Sequence, residues 1–235
     1  AVLAETKLTH IESPSPLVQM KVSVIEGSEN NVGYAMVTVD ASIEELGANE
    51  YLYNRKGNQE FYQSEGGILR NIHNYGKHHL VVRSVYDLKI PLFSNREFAW
   101  KVMWKSLSAD EAVVVYKPLA ALDPEWNFAI AEDVVRASSW TFVRFRKLTD
   151  VGGVPQTRIS YMSQMDLAGY VPADLINKLL PGRLMYLDRV RLQFDKSLKI
   201  DRGIRDEFVE RIRDNEEVYS GEEDKQIQEG HTWLK

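Results

Sequence analysis

Four strand-length segments follow one another between residues 97 and 166, and the connections between them leave no room for crossover helices. They are residues 97–104, 112–116, 134–145 and 157–166. Parallel neighbours require a crossover of about a dozen residues or more, usually a helix, whereas antiparallel neighbours need only a turn. The pattern therefore predicts an antiparallel meander in the middle of the chain.

The N-terminal segment predicts two further strands and a helix. Residues 17–26 alternate between apolar and polar side chains, and residues 34–40 do so again after a glycine- and asparagine-rich turn. Two such runs around one turn predict neighbouring antiparallel strands. Ser42 and Glu45 have the spacing of a capping box ahead of a short apolar stripe, so a helix is predicted to begin there.

A hairpin is predicted next. Residues 54–68 are polar and contain glycine, which is typical of a connection. Residues 69–73 and 80–88 are strand-like and flank a four-residue turn, so we expect them to pair with each other. The predicted order in the first ninety residues is strand, strand, helix and hairpin.

The hydrophobic period changes from two to about 3.6 after Pro172, which predicts a long amphipathic C-terminal helix. Pro181 and Gly182 should kink it or break it briefly. Its apolar stripe consists of Leu175, Ile176, Leu179, Leu180, Leu184, Leu187 and Val190. A curved antiparallel sheet wrapped around such a helix is an α+β architecture that encloses a hydrophobic cavity. An empty apolar void of roughly 500 Å³ would cost on the order of 10 kcal/mol, so we expect an apolar guest.

Charge is concentrated towards the C-terminus. The formal net charge is −5, and residues 201–230 hold eleven acidic and five basic side chains, so the rest of the chain is nearly neutral. A chain without a basic stripe lacks the surface that binds phosphate backbones, which argues against nucleic acid as a partner. The four-residue spacing of Ile204, Phe208 and Ile212 predicts a solvated helix with one apolar edge, followed by a tail.

The sequence carries no recognisable catalytic or cofactor motif. It contains no cysteine, no G-x-S-x-G elbow and no glycine-rich phosphate loop. His73, His78 and His79 flank the hairpin turn, and we favour solvated histidines over a metal site because no carboxylate lies within that turn. We therefore expect no catalytic residue, no cofactor and no metal.

The same composition predicts a location. The lack of cysteine, of a signal peptide and of an apolar run of about eighteen residues predicts a cytoplasmic chain that does not span a membrane. Because the sequence begins at Ala1 rather than at methionine, we expect a segment of a longer protein. No pattern in the sequence indicates an oligomeric state.

Three segments, in order along the chain, resemble the START family of lipid-transfer domains, which is named after the steroidogenic acute regulatory protein. They are KIPLFSNREFAW at residues 89–100, Val135-Arg136-Ala137, and QMDLAGYVPADLINKL at residues 164–179. The resemblance implies a helix-grip (START/Bet v 1-like) fold, with a START-like lipid-binding domain at residues 1–200 and a charged helical extension at residues 201–235. It also implies lipid binding and lipid transport by a peripheral membrane protein that contacts membrane surfaces transiently.

The resemblance assigns a ligand site and a structural motif. It implies a gate between the loop at residues 90–95 and the start of the C-terminal helix at residues 170–175. The ligand pocket and gate are assigned to Leu92, Phe93, Met103, Trp140, Tyr161, Met165, Ile176, Leu180, Leu184 and Leu187. The structural motif is assigned to Asn95, Arg96, Glu97, Phe98, Arg136, Asp166, Gly169 and Pro172.

Both motif arginines have acidic neighbours in the sequence. Glu97 follows Arg96, and Glu132 and Asp133 precede Arg136. Ion pairs with such neighbours would orient loops, and we favour this structural interpretation over contact with a ligand.

A departure from the family pattern leaves the ligand class open. Family members with sterol ligands place an arginine six residues after the motif arginine, where this chain has Val102. The charged Arg83 lies on the preceding predicted strand. One alternative is an enzyme related to polyketide cyclases and aromatases, which would use Tyr161, Tyr170 and Arg83 as acid–base groups. The other is a regulatory module of a larger protein.

Overall fold

The computed structural model describes residues 8–91, 93–120, 123–126, 128–129, 133–214 and 219–233. The strands are β1 Thr9–Ile11, β2 Gln19–Ser23, β3 Val32–Val39, β4 Gly67–Asn74, β5 His79–Tyr86, β6 Arg96–Ser108, β7 Glu111–Pro118, β8 Val135–Arg136, β9 Ser138–Val151 and β10 Val154–Asp166. The helices are α1 Ile43–Tyr51, α2 Lys56–Ser64, α3 Ala173–Leu184, α4 Tyr186–Gln193, α5 Ser197–Asp214 and α6 Gly221–Thr232.

The strands form one antiparallel sheet. Within the described residues its order is β1-β2-β3-β10-β9-β7-β6-β5-β4, and β8 pairs parallel with the start of β6. The predicted pairs of strands are confirmed: β2 pairs with β3, and β4 pairs with β5 as a hairpin. The predicted meander is formed by β6, β7, β9 and β10, and the strand predicted at residues 134–145 is divided into the short β8 and β9.

The predicted capping box is present at the start of α1. The Glu45 backbone N–H donates to Ser42 Oγ at 3.2 Å, and the Ser42 backbone N–H donates to Glu45 Oε2 at 2.9 Å. The expectation of a plain connection at residues 54–68 is wrong, because α2 lies there. That helix has no side-chain N-cap, and Tyr62 on it is buried against β4, where a Cβ on Gly67 would lie 2.4 Å from the tyrosine ring. Tertiary packing, rather than local sequence, therefore defines α2.

The predicted C-terminal helix begins after Pro172 and is broken near Pro181, as expected. α3 ends at Leu184 and α4 starts at Tyr186, with Met185 as the residue between them. Pro181 lies inside α3, where it cannot donate the hydrogen bond that a regular helix has at that position. The break itself comes four residues later, at Met185.

The main core lies between the helices and the inner face of the sheet. Alternate strand residues such as Val37 and Trp100 face inwards and form one cluster with Leu184 of α3. α3 and α4 pack on β3, and α1 packs on β7. Gly33 allows a close approach, because a Cβ built there would lie 2.7 Å from Leu180 Cδ1.

A second, smaller cluster covers part of the outer face. Val81 on β5 and Ala99 on β6 alternate with the inward residues, so they point away from the main helices. They pack with Leu119, and Trp126 and Phe128 lie against this cluster. The described part of the connection between β7 and β8 therefore buries the outer side of β5 and β6.

Residues 150–154 and 196–235 form a compact unit of their own, which contains α5 and α6. A Cβ on Gly203 would lie 2.3 Å from the Gly152 carbonyl oxygen, so glycine permits that close approach. Ile204, Phe208 and Ile212 are exposed along α5, which agrees with the predicted helix with an apolar edge. Ser220 and Glu223 form a second capping box at the start of α6. Among the described residues, no helix is both long enough and apolar enough to span a bilayer.

Candidate functional site

Arg96 joins the loop at residues 90–95, one side of the predicted gate, to the turn that precedes the other predicted side at residues 170–175. Its side chain is buried, and its Nε donates to the Leu167 carbonyl at 2.7 Å. The same guanidinium donates to the carbonyl of Ser94 and lies 3.5 Å from that of Ala168. These contacts, which we call the Arg96 junction, tie the β5–β6 connection to the turn between β10 and α3. Burial lowers the pKa of Arg96 from its ordinary value.

The turn at the Arg96 junction has an unusual backbone. Asp166 Oδ1 accepts the backbone N–H of Ala168 at 2.8 Å. Ala168 and Gly169 both have positive φ, 53° and 66°, and Pro172 then caps α3. Ala168 pays a steric cost in this region that glycine does not, so the chain is held there by surrounding contacts. The structure therefore places residues 94–96 beside residues 166–169.

Glu97 lies on the outer face of the sheet and pairs with two arginines. It accepts from Arg83 Nε and from Arg136 Nη2, and Glu97 and Arg83 are both buried. Arg136 also stacks over the Trp126 ring at 4.2 Å. Asn71 Oδ1 lies 3.3 Å from Arg83 Nη1.

The expected ion-pair partners of the two motif arginines are therefore corrected. Arg96 and Glu97 cannot pair, because successive side chains on a strand point to opposite faces. Arg136 pairs with Glu97; Asp133 is exposed, and Glu132 lies outside the described residues.

Six of the assigned pocket residues belong to the main core or pack against it, two on β10 and four on α3 and α4. Phe98 belongs to the same buried cluster and stacks on Trp100 with ring centroids 5.2 Å apart. Met165 is half-buried and packs against the cluster. The fully buried members are Tyr161, Ile176, Leu180, Leu184 and Leu187.

Met103 and Trp140 lie on the other side of the sheet. Met103 follows Val102, which is part of the inner cluster. Trp140 follows Ser139, whose Oγ accepts from the inward Trp100 Nε1 at 2.9 Å, and Trp140 is half exposed. By strand alternation, neither lines the space beneath the helices. Phe93 and Asn95 are half-buried in the connection before β6, and Leu92 lies outside the described residues.

The three hairpin histidines have aromatic and acidic neighbours. Tyr75 stacks on His79 at 5.2 Å and lies 4.6 Å from His73, measured between ring centroids. His79 Nε2 lies 3.3 Å from Glu125 Oε2. His78 lies edge-on to Trp104. Within the described ranges, no three histidine or acidic side chains converge as metal ligands.

A polar cluster beneath the helices was not predicted. The Glu50 carboxyl group, on α1, accepts from the Tyr116 hydroxyl on β7 at 2.5 Å and from the Tyr186 hydroxyl on α4 at 2.7 Å. The Tyr161 ring lies 6.0 Å from that of Tyr186. The Tyr53 side chain lies within hydrogen-bond reach of Tyr116. We call Glu50, Tyr116 and Tyr186 the Glu50 cluster.

Burial raises the pKa of Glu50, and the hydrogen bonds from Tyr116 and Tyr186 oppose that shift. Yet Glu50, Tyr53 and Tyr186 are only half-buried, so each keeps accessible surface. A side chain that is removed from bulk water and still has accessible surface lines an internal space or a narrow cleft. A sequence signal for Glu50 does exist: it is four residues after Leu46 and seven after Ile43, on the apolar face of α1.

A cleft of about 170 Å³ opens beside this cluster between α1, α2 and α4. Tyr186 lines it, so the cleft and the Glu50 cluster share this side chain. Arg189 lies over the Phe61 ring at 3.7 Å on one side. Gln193 Nε2 donates to Asn49 Oδ1 at 3.0 Å on another. The cleft is thus lined by both apolar and polar side chains.

No family model and no curated protein matches the sequence. Solved structures do resemble the fold. The human StarD13 (DLC2) lipid transfer and protein localization domain is 12% identical, with a TM-score of 0.65 over 82% of this chain and 91% of that chain. Human StAR-related lipid transfer protein 5 is 16% identical, with a TM-score of 0.60 over 83% of this chain and 86% of that chain. A STAR-related lipid transfer protein fragment from Xanthomonas axonopodis is 13% identical, with a TM-score of 0.60 over 80% of this chain and 98% of that one.

This chain has the START fold. The predicted fold class, a helix-grip sheet around a C-terminal helix, is confirmed. In this START fold, the Arg96 junction lies where two of the sequence segments that carried the resemblance meet.

Replacing Glu50 by glutamine should change how stability depends on pH. The folded protein raises the pKa of Glu50 above its ordinary value of 4.5, so it favours the protonated form. The associated stability is present below pH 4.5 and is lost as pH rises through the raised pKa. As pH rises through that window, the natural protein should lose this stability and Glu50→Gln should not. The free energy of unfolding of Glu50→Gln, measured by urea titration, should therefore rise relative to that of the natural protein by at most about 1.4 kcal/mol per pH unit. Parallel curves for the two proteins would contradict the expectation.

Proposed function

We propose that the chain binds a lipid or another hydrophobic small molecule between its sheet and its helices and carries it between membranes. The observation that carries this proposal is the likeness to three lipid-transfer domains over about four fifths of the chain. Its own interior supports the same role. Tyr86, Leu88 and Val171 pack against the main core and are only half-buried, so they keep apolar surface that a guest can cover.

We propose the Arg96 junction as the closed state of a gate. The β5–β6 connection and the β10–α3 turn meet there through hydrogen bonds from Arg96 to carbonyl oxygens. Phe93 and the fully exposed Tyr170 lie on these two segments, where they can touch a membrane surface. Opening needs only a few hydrogen bonds to break, so exchange of a guest is compatible with a stable core. A peripheral, cytoplasmic carrier remains our proposal for its location.

We further propose that binding occurs without turnover. An enzyme of the cyclase type is the second candidate, because Glu50 is a buried carboxyl with a raised pKa beside tyrosine hydroxyls. The acid–base groups expected from the sequence do not meet, however. Tyr161 is in the core, Tyr170 is fully exposed, and Arg83 pairs with Glu97 on the outer face.

The test is extraction and mass analysis of whatever co-purifies with the chain, followed by transfer between donor and acceptor vesicles. We expect about one molecule of a defined lipid for each chain, faster transfer than without protein, and recovery of that lipid chemically unchanged. A chain that holds no lipid and takes up none from vesicles made of a total lipid extract is not a carrier, and the regulatory-module alternative would then replace it. A chemically altered guest would favour the enzyme.

A further inference from the structure

We infer that the Glu50 cluster anchors the polar end of the guest, and that it selects an uncharged lipid that carries a hydroxyl group. This inference rests on the proposed lipid-binding function and names the class of ligand. Glu50, Tyr116 and Tyr186 come from α1, β7 and α4, so three separate elements converge on one polar point in an otherwise apolar cluster.

The free hydrogen-bonding capacity of the cluster consists mainly of acceptors. An ionised carboxyl group has about four acceptor sites on its two oxygens. Tyr116 fills one on Oε1 and Tyr186 one on Oε2, and no other described residue donates to this carboxyl group. Each tyrosine hydroxyl has only one proton, which it already donates in its hydrogen bond to Glu50. The carboxyl group keeps free acceptor sites in either protonation state, and in its protonated form it also has one O–H donor. A hydroxyl group, which both donates and accepts, can bond to either form.

The surrounding charges disfavour an anionic head group. Three cations lie near the cluster, and all three have other partners. Arg189, which lines the cleft, pairs with Glu65 and lies over the Phe61 ring. Arg55 donates to the carbonyls of Asn49 and Leu52 and to the Asn49 side chain. Arg70 donates to Ser84 Oγ and stacks on the Tyr62 ring at 3.8 Å. A phosphate or carboxylate here would place a negative charge beside the Glu50 carboxyl group in a poorly solvated space, which is costly.

The location suits a molecule with one polar end. On one side of Tyr186 lies the cleft, whose polar lining residues include Asn49, Asn58 and Gln193. On the other side lie Tyr161 and the buried apolar face of α4, which includes Leu187. An amphiphile can thus place its hydroxyl group at Glu50 and its tail along the core. Burying a charged head group beside Glu50 would cost more desolvation free energy than burying a neutral hydroxyl group, so an uncharged polar end fits the burial of Glu50 better.

The experiment compares guests that differ only at the polar end. Dioleoylglycerol, its 3-acetate and dioleoyl phosphatidic acid share one pair of tails, and cholesterol and its methyl ether share one ring system. Each is offered in phosphatidylcholine vesicles, and extraction by the protein is measured. We expect at least one hydroxyl-bearing member to be extracted about tenfold or more better than its blocked partner, and the phosphatidic acid to be disfavoured.

Variants then assign the preference to this cluster. Glu50→Met, which removes both acceptor oxygens at similar volume, should reduce the preference to about twofold or less, and Glu50→Gln, which keeps one, should restore part of it. Glu60→Gln, an exposed glutamate on α2, is the matched control and should leave it unchanged. Thermal unfolding of each variant identifies any that fails to fold, and the natural protein tested on the paired lipids remains decisive in that case.

The outcomes separate the two proposals. Extraction of lipids without a hydroxyl preference, or a preference that survives in a folded Glu50→Met, overturns the anchor and leaves the carrier role intact. Extraction of no lipid at all, including from a total lipid extract, overturns the carrier role itself.

Discussion

Replacing Glu97 by alanine is expected to lower the free energy of unfolding by about 3–5 kcal/mol. Glu97 is 1% exposed and Arg83 5% exposed, and Glu97 also accepts from Arg136. Alanine would leave the Arg83 guanidinium buried without its carboxylate, and this uncompensated charge accounts for most of the loss. Urea-induced unfolding, followed by circular dichroism, measures the effect.

The matched control is Glu65→Ala. Glu65 also pairs with an arginine, Arg189, at 3.2 Å, but the two side chains are 52% and 43% exposed. An exposed pair of this kind contributes about 0–1 kcal/mol, because water and salt screen it. The double variant Arg83→Leu, Glu97→Leu should recover much of the loss by removing both buried charges. Equal losses of unfolding free energy in Glu97→Ala and Glu65→Ala would show that burial does not increase the contribution of the outer-face pair to stability.

The same residues show how far sequence carries the fold. The strands β2 to β7, β9 and β10 could be predicted because side-chain alternation is local, and the start of α1 because Ser42 and Glu45 satisfy a local rule. α2 could not, since its register depends on Tyr62 packing over Gly67, a contact with a strand that follows it. The break at Met185 was predictable from Pro181, because a proline acts on its own helix.

The site was less predictable, because it depends on which face of a strand points inwards. Both faces of β5 and β6 carry apolar residues, since the β7–β8 connection covers the outer one. Met103 and Trp140 are therefore apolar residues of the kind that lines a pocket, but their side chains point to the outer face of the sheet. Glu50 illustrates the opposite case: a single acid on the apolar face of α1 marks the cluster, but its tyrosine partners lie 66 and 136 residues away.

Those distances in sequence also explain why the Arg96 junction needed a structure. Arg96 and Leu167 are 71 residues apart, and nothing local identifies carbonyl oxygens as the partners of an arginine. One end of the contact lies at the predicted gate loop, and the other end, at Leu167 and Ala168, lies just before the predicted gate segment 170–175. A mutation at this one side chain should therefore affect both stability and exchange of a guest.

Replacing Arg96 by methionine is expected to accelerate lipid transfer about tenfold while costing about 2–4 kcal/mol of global stability. Methionine retains much of the apolar stem but cannot donate to Leu167, Ser94 or Ala168, so the β5–β6 connection and the β10–α3 turn separate more easily. A decrease of about 1.4 kcal/mol in the free energy of opening is enough for the tenfold change. Vesicle-to-vesicle transfer of a fluorescent lipid measures it, with the exposed Arg158→Met as control.

The opposite change should nearly stop transfer, and it remains informative if Arg96→Met does not fold. Because the chain has no cysteine, Ser94→Cys and Tyr170→Cys introduce a unique pair of thiols at two exposed positions, one on each side of the junction. A bismaleimide with a cleavable disulfide spacer should lock the two segments together and slow transfer at least tenfold, and a reductant should restore the rate. Each single-cysteine variant treated with the same reagent gives the baseline rate against which the crosslinked double variant is compared. Transfer that is unchanged by the crosslink would place the route of the guest elsewhere, with the cleft beside Tyr186 as the next opening to close.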